Sequence, residues 1–131
     1  MDVETLINTE KELEYCRKLY WPEFADAFMG IVDVDAINRA KQLTKSVKGI
    51  ETLGHTPSSI TVLAETDERL VACVGDAVIV KEDVLELKVP QMVTQNTSEE
   101  TSIESLERFT SLTPVLVIPG HDASFKPPSS N

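Results

Sequence analysis

Three side chains stand out for what they could do together. His55 and His121 are the only histidines in the chain, and each follows a glycine, in Leu53-Gly-His55 and in Pro119-Gly-His121. Asp76 follows Gly75 at the end of the apolar run Leu70-Val-Ala-Cys-Val74. Imidazole nitrogen and carboxylate oxygen are the donors that zinc takes in hydrolytic sites. Each residue alone also has a plainer reading: a hydrogen-bonded loop histidine, or an aspartate capping the turn after its strand. A glycine before each allows a sharp backbone turn and the close approach of a ligand.

The elements that must position them follow from periodicity. Thr9 and Glu12 have capping-box spacing, and Leu13, Cys16 and Leu19 or Tyr20 recur as in an amphipathic helix over 10–20 that Trp21-Pro22 ends. Asp33 and Asp35 suit a second helix start, with Ala36, Ile37, Ala40 and Leu43 as its apolar stripe to about Ser46. Strands are expected over 47–53, 59–65, 70–74 and 115–118, with 66–69 as a polar hairpin turn. Residues 78–80 either continue the sheet or cap the loop after Asp76, and 88–97 read as irregular around Pro90. Thr97 and Glu100 open a helix over about 98–112 with Ile103, Leu106, Phe109 and Leu112 inward. On this reading all three site candidates lie at strand-to-loop junctions, where α/β enzymes gather their site residues.

The stretch G-H-T-P-S-S-I-T-V-L-A-E-T, then V-A-C-V-G-D-A, then V-L-V-I-P-G-H-D resembles the C-terminal half of a metallo-β-lactamase-superfamily domain. K-E-L-E-Y-C-R-K followed by F-A-D-A-F-M-G-I-V-D resembles the segment before the third metal histidine in N-acyl-homoserine-lactonase-like members. The resemblance covers roughly residues 8–126. It implies half of an αββα sandwich, an α/β fold with one mixed sheet and flanking helices. It implies His55 as a ligand of a first zinc or other divalent metal, His121 as a ligand of a second, and Asp76 as the catalytic carboxylate bridging both. The chemistry implied is attack of metal-bound hydroxide on a carbonyl, with the metals stabilising the oxyanion.

The family's other ligands come from an H-x-H-x-D-H motif, and this sequence has none. Met1 falls just downstream of where that motif would stand, so a truncated or split member is expected. Each metal would keep one histidine and a share of Asp76, fewer than the three protein ligands usual for catalytic zinc. The tyrosine that lactonase-like members often carry three residues after the bridging aspartate is replaced by Ile79. No G-x-S-x-G elbow accompanies Ser58 or Ser59 near His55, and no G-x-G-x-x-G or phosphate loop is present. Glu99, Glu100, Glu104 and Glu107 read as a solvated helix face, and Asp122 beside His121 as a candidate ring-orienting carboxylate.

Composition narrows the partners. The 131 residues allow one compact domain, taken as 1–126 with a frayed tail over 127–131. The net charge of −10 disfavours nucleic acid and anionic membrane surfaces, which need a basic face. The apolar runs are strand-sized, so no membrane span is expected. Cys16 and Cys73 form no CxxC pair, which points to a reducing, cytoplasmic setting. Half a sandwich would leave a sheet face with Ile60, Val62, Val71 and Cys73 in need of cover, so a homo-oligomer or a chain supplying the missing half is expected. Two functions follow. One is a metal-dependent hydrolase acting on a small acyl substrate (an ester or lactone) once another chain completes the site. The other is a non-catalytic oligomerising or regulatory module built on the same fold.

Overall fold

A computed structural model describes residues 5–8, 14, 15, 18, 33–36, 40–56, 59–88 and 98–128. Seven strands and two helices are bounded within them: β1 (Thr5–Asn8), β2 (Asp33–Ala36), β3 (Ala40–Gln42), β4 (Val47–Glu51), β5 (Ile60–Thr66), β6 (Arg69–Gly75), α1 (Lys81–Leu85), α2 (Glu99–Thr110) and β7 (Leu116–Pro119). β1 and β2 form a parallel pair. The other five strands make one mixed sheet in the order β3-β4-β5-β6-β7. Its first four strands are antiparallel neighbours, and β7 joins β6 in parallel. Because β5 runs against both β4 and β6, the strands β4, β6 and β7 all point the same way. Their carboxyl ends meet at one end of the sheet.

The β5–β6 hairpin forms as its sequence suggests. Thr66 pairs with Arg69 across Asp67-Glu68, and Thr66 Oγ1 donates to the Arg69 carbonyl at 2.8 Å. Register sorts the side chains by face. Leu63 opposes Ala72, and Ala72 opposes Val117, on the face that α2 covers with Leu106 and Phe109; all five are at most 5% exposed. Ile50, Val74, Val78 and Val84 complete this core. The alternate residues Val62, Ala64, Val71, Cys73 and Leu116 share the opposite face and are only half-buried, and Ile118 there is 40% exposed. At the outer edge of β7, Phe125 exchanges backbone hydrogen bonds with Val117, which partly covers that edge.

Two expectations need correction. The helix read from Asp33 to about Ser46 does not form: 33–36 and 40–42 are strands. Ala40, Lys41 and Gln42 have helical propensity, but pairing with Ile50, Gly49 and Lys48 on the edge of β4 outweighs it. The polar residues Thr44-Lys45-Ser46 close this hairpin, with the Leu43 and Thr44 amides donating to the Val47 carbonyl. The helix near 98–112 does form, and Ser98 caps it by accepting from the Thr101 amide; Thr97, expected to open it, lies outside the described residues. Its buried face is Ser102, Ser105, Leu106 and Phe109, whereas Leu112 is 43% exposed. The four glutamates lie on its solvated side as expected.

Of the expected helix over 10–20, Glu14, Tyr15 and Lys18 are described and helical, with Lys18 paired to Glu14 at 2.7 Å. Its other residues, and the segment 19–32, lie outside the described residues. Residues 78–80 lead into α1 and do not extend the sheet; the Asp83 carboxylate accepts from the Ile79 and Val80 amides at 2.9 and 3.0 Å. No helix among the described residues is long and apolar enough to cross a membrane.

Candidate functional site at the carboxyl ends of three strands

His55 lies just beyond β4, Asp76 directly follows β6, and His121 comes just after β7. The three strands share a direction, so their ends carry these residues to one place although they are far apart in sequence. The Asp76 carboxylate sits between the two rings. Its Oδ2 is 3.3 Å from His55 Nε2, and its Oδ1 is 3.3 Å from His121 Nε2. His55 is the more enclosed ring, with 22% of its side chain exposed against 60% for His121.

Local hydrogen bonds hold each arm. The loop after β4 is closed by the Thr52 amide on the Ser59 carbonyl and by Ser59 Oγ on the Thr52 carbonyl. Buried Thr52 and Thr61 hydroxyls meet at 2.9 Å, and Ser105 of α2 donates to the Leu53 carbonyl at 2.6 Å. Ser59 is therefore committed to backbone and is not a nucleophile beside His55; Ser58 lies outside the described residues. The turn carrying Asp76 uses Gly75 at φ +52, in the left-handed region that favours glycine. The His121 loop is fastened to it through the Gly120 amide on the Val78 carbonyl and the His121 amide on the Ile79 carbonyl.

Gly120 permits the closest approach in the site. A methyl group at that position would overlap Asp76 Oδ1 and press on the Gly75 carbonyl. The approach expected for a ligand is thus made by the protein's own carboxylate. Asp122, a candidate for orienting the His121 ring, accepts from the Lys81 and Ala123 amides instead. Those two hydrogen bonds lower the pKa of its carboxyl, and the one from Lys81 ties the His121 loop to the start of α1.

The donors gathered here, imidazole nitrogen and carboxylate oxygen, are of the kinds that divalent cations take. Two ligands on one tetrahedral zinc, each at about 2.0–2.1 Å, stand about 3.3–3.4 Å apart. The same 3.3 Å also serves a His–Asp ion pair, so the spacing alone fits either arrangement. Both imidazole-to-carboxylate spacings match the ligand–ligand separation. Among the described residues no group of three or more His, Cys, Asp or Glu side chains is gathered to hold an ion. The donors are of the right kind and spacing, but each ion would receive two of them.

No family model and no curated protein matches the sequence. The fold does match solved structures. AiiA of B. thuringiensis, with N-decanoyl-L-homoserine at its active site, superposes with a TM-score of 0.74 at 20% identity, over 92% of this chain and 48% of that one. AidC, a dizinc quorum-quenching lactonase in complex with the product N-hexanoyl-L-homoserine, gives 0.62 at 13% identity, over 95% and 54%. A Thermotoga maritima protein assigned to the metallo-β-lactamases gives 0.63 at 16% identity, over 94% and 58%.

The chain has half of a metallo-β-lactamase fold. It spans about half the length of AiiA and of AidC, and 58% of the Thermotoga protein. Within this half of the metallo-β-lactamase fold, the structure brings together His55, Asp76 and His121, which the sequence singles out, and sets beside the His55 loop two residues that it does not. Ser102 and Ser105 lie three residues apart on the buried face of α2, and Ser102 packs against Gly54 beside His55. Their visible signal was small hydroxyls beside an apolar helical stripe.

Proposed function

We propose that these 131 residues are one half of a metal-dependent acyl hydrolase, completed by ligands that lie outside them. One observation carries this reading: the two oxygens of Asp76 face different imidazoles, each at the spacing of two ligands on one ion. When bound, divalent ions in such a site polarise a carbonyl and lower the pKa of water. Toward such ions this chain would contribute the Asp76 carboxylate, one histidine on either side of it, and the loops that hold them. Two donors per ion fall short of the three typical of catalytic zinc, so no reaction step is assigned to the isolated chain.

The substrate class proposed is an ester or lactone carbonyl. AiiA, which shares the fold, holds N-decanoyl-L-homoserine at its active site, and AidC holds the product N-hexanoyl-L-homoserine. The partner proposed is a second copy or, to complete the site, a chain with the rest of the sandwich. The half-buried sheet face at Val62, Val71, Cys73 and Ile118 is its seat. The test is the zinc, manganese and iron content of protein purified without chelator, for the native chain and for His55→Ala/His121→Ala. Metal retained by the native chain and lost from the double variant supports the reading. Equal, substoichiometric metal in both overturns it. Folded, self-associating, metal-free protein would instead identify the non-catalytic module.

A further inference from the structure

Two buried polar atoms near the site have no hydrogen-bond partner among the described residues: His55 Nδ1 and Ser102 Oγ. Ser102 is 5% exposed, in the first turns of α2. A Cβ on Gly54, the residue just before His55, would stand 2.6 Å from that oxygen. The unpaired hydroxyl and the unpaired ring nitrogen thus belong to adjoining pieces of structure. Leaving both unsatisfied would be costly, because a buried polar group without a partner has lost its water without replacement.

We propose that Ser102 is the positioning residue for His55: the two atoms are not hydrogen-bonded to each other in this structure, and one buried water between them or a turn of the Ser102 hydroxyl joins them. A serine hydroxyl suits the task because it both donates and accepts. It accepts from Nδ1–H when Nε2 carries a lone pair toward an ion, and donates to Nδ1 when Nε2–H faces the Asp76 carboxylate. A fixed acceptor would serve only the first state. Histidine ligands are ordinarily oriented through the nitrogen that does not face the ion. Neighbouring Ser105 is already committed to the Leu53 carbonyl, which steadies the same loop and leaves Ser102 as the free hydroxyl. Gly54 makes the approach possible, since any side chain there would meet Ser102.

The metal-facing half of this role rests on the function proposed above; the hydrogen bond itself does not. The experiment therefore uses the metal-free chain, comparing native protein with Ser102→Ala. The readouts are the thermal midpoint and the imidazole 15N resonances, and two histidines make the latter simple to assign. A bonded hydroxyl predicts that Ser102→Ala lowers the midpoint and moves the His55 Nδ1 resonance, with His121 unchanged. An orphan hydroxyl predicts a raised midpoint and unmoved His55 resonances, and that result overturns the proposal. A zinc titration of the same samples tests the metal reading separately. Zinc indifference alongside a shifted His55 would remove the metal reading for this chain by itself and leave the Ser102 bond standing.

Discussion

Gly120 shows how tightly the site residues constrain one another. Its φ is not in the left-handed region, so a substitution there acts through space alone. Gly120→Ala is expected to push the Asp76 carboxylate out of its position, costing about 1–3 kcal/mol of stability as overpacking does. Zinc affinity should fall with it, measurable by calorimetric titration beside thermal unfolding. Asp122 gives a pH prediction. Its folded pKa is depressed by the Lys81 and Ala123 amides, so its stabilising share is present above the unfolded value of about 3.9 and is lost as pH falls through the lower, folded one. Asp122→Asn should therefore flatten the stability–pH curve in that acidic window and leave its shape near neutrality unchanged, as urea unfolding at stepped pH can show. His55, Asp76 and His121 were legible in the sequence because each follows a glycine at a strand end. Ser102 was not, because a serine on a helix announces nothing until the loop packed against it is known.

At the scale of elements, α2 is the main apolar cover of the described core. Phe109 and Leu106 are fully buried on it against the β5–β6–β7 sheet. Phe109→Ala should cost about 3–5 kcal/mol by lost burial and cavity formation, read from the denaturant midpoint at constant slope. The same helix anchors the His55 loop through Ser105, so zinc affinity should weaken in this variant before global unfolding begins. The hairpin β5–β6 and strand β7 were readable from runs of β-branched and apolar residues bounded by polar turns. The segment 40–42 was not. Ala-Lys-Gln carries no strand signal of its own, and its state is decided by the exposed edge of β4, a partner that local periodicity does not reveal. The short helix α1 went unread for a similar reason: its start is held by Asp83 reaching back to two amides, within a run of valine and isoleucine that resembles a strand.

At the scale of the molecule, the described residues pack closely on one face of the mixed sheet and are half-buried on the other, and the chain matches about half of AiiA. If the half-buried face is a seat for a partner, sedimentation velocity at micromolar concentration should show association. A second copy also carries −10, so raising the salt should strengthen self-association by screening that repulsion. A well-folded monomer at every salt concentration would leave the face without the proposed occupant. The fold class was legible because motif order survives even where the chain covers half a sandwich; the occupant of the half-buried face was not, because an alternating apolar strand pattern shows that a face is to be covered and not by what. The central claim is that Asp76 serves two ion positions while each histidine serves one. Calorimetric zinc titration of the native chain, His55→Ala, His121→Ala and Asp76→Ala measures this directly. Each histidine variant should lose about 10–100-fold in affinity at one position, a scale set by what even indirect metal contacts contribute, and Asp76→Ala should lose both positions together. Native-like zinc binding by Asp76→Ala would contradict the account.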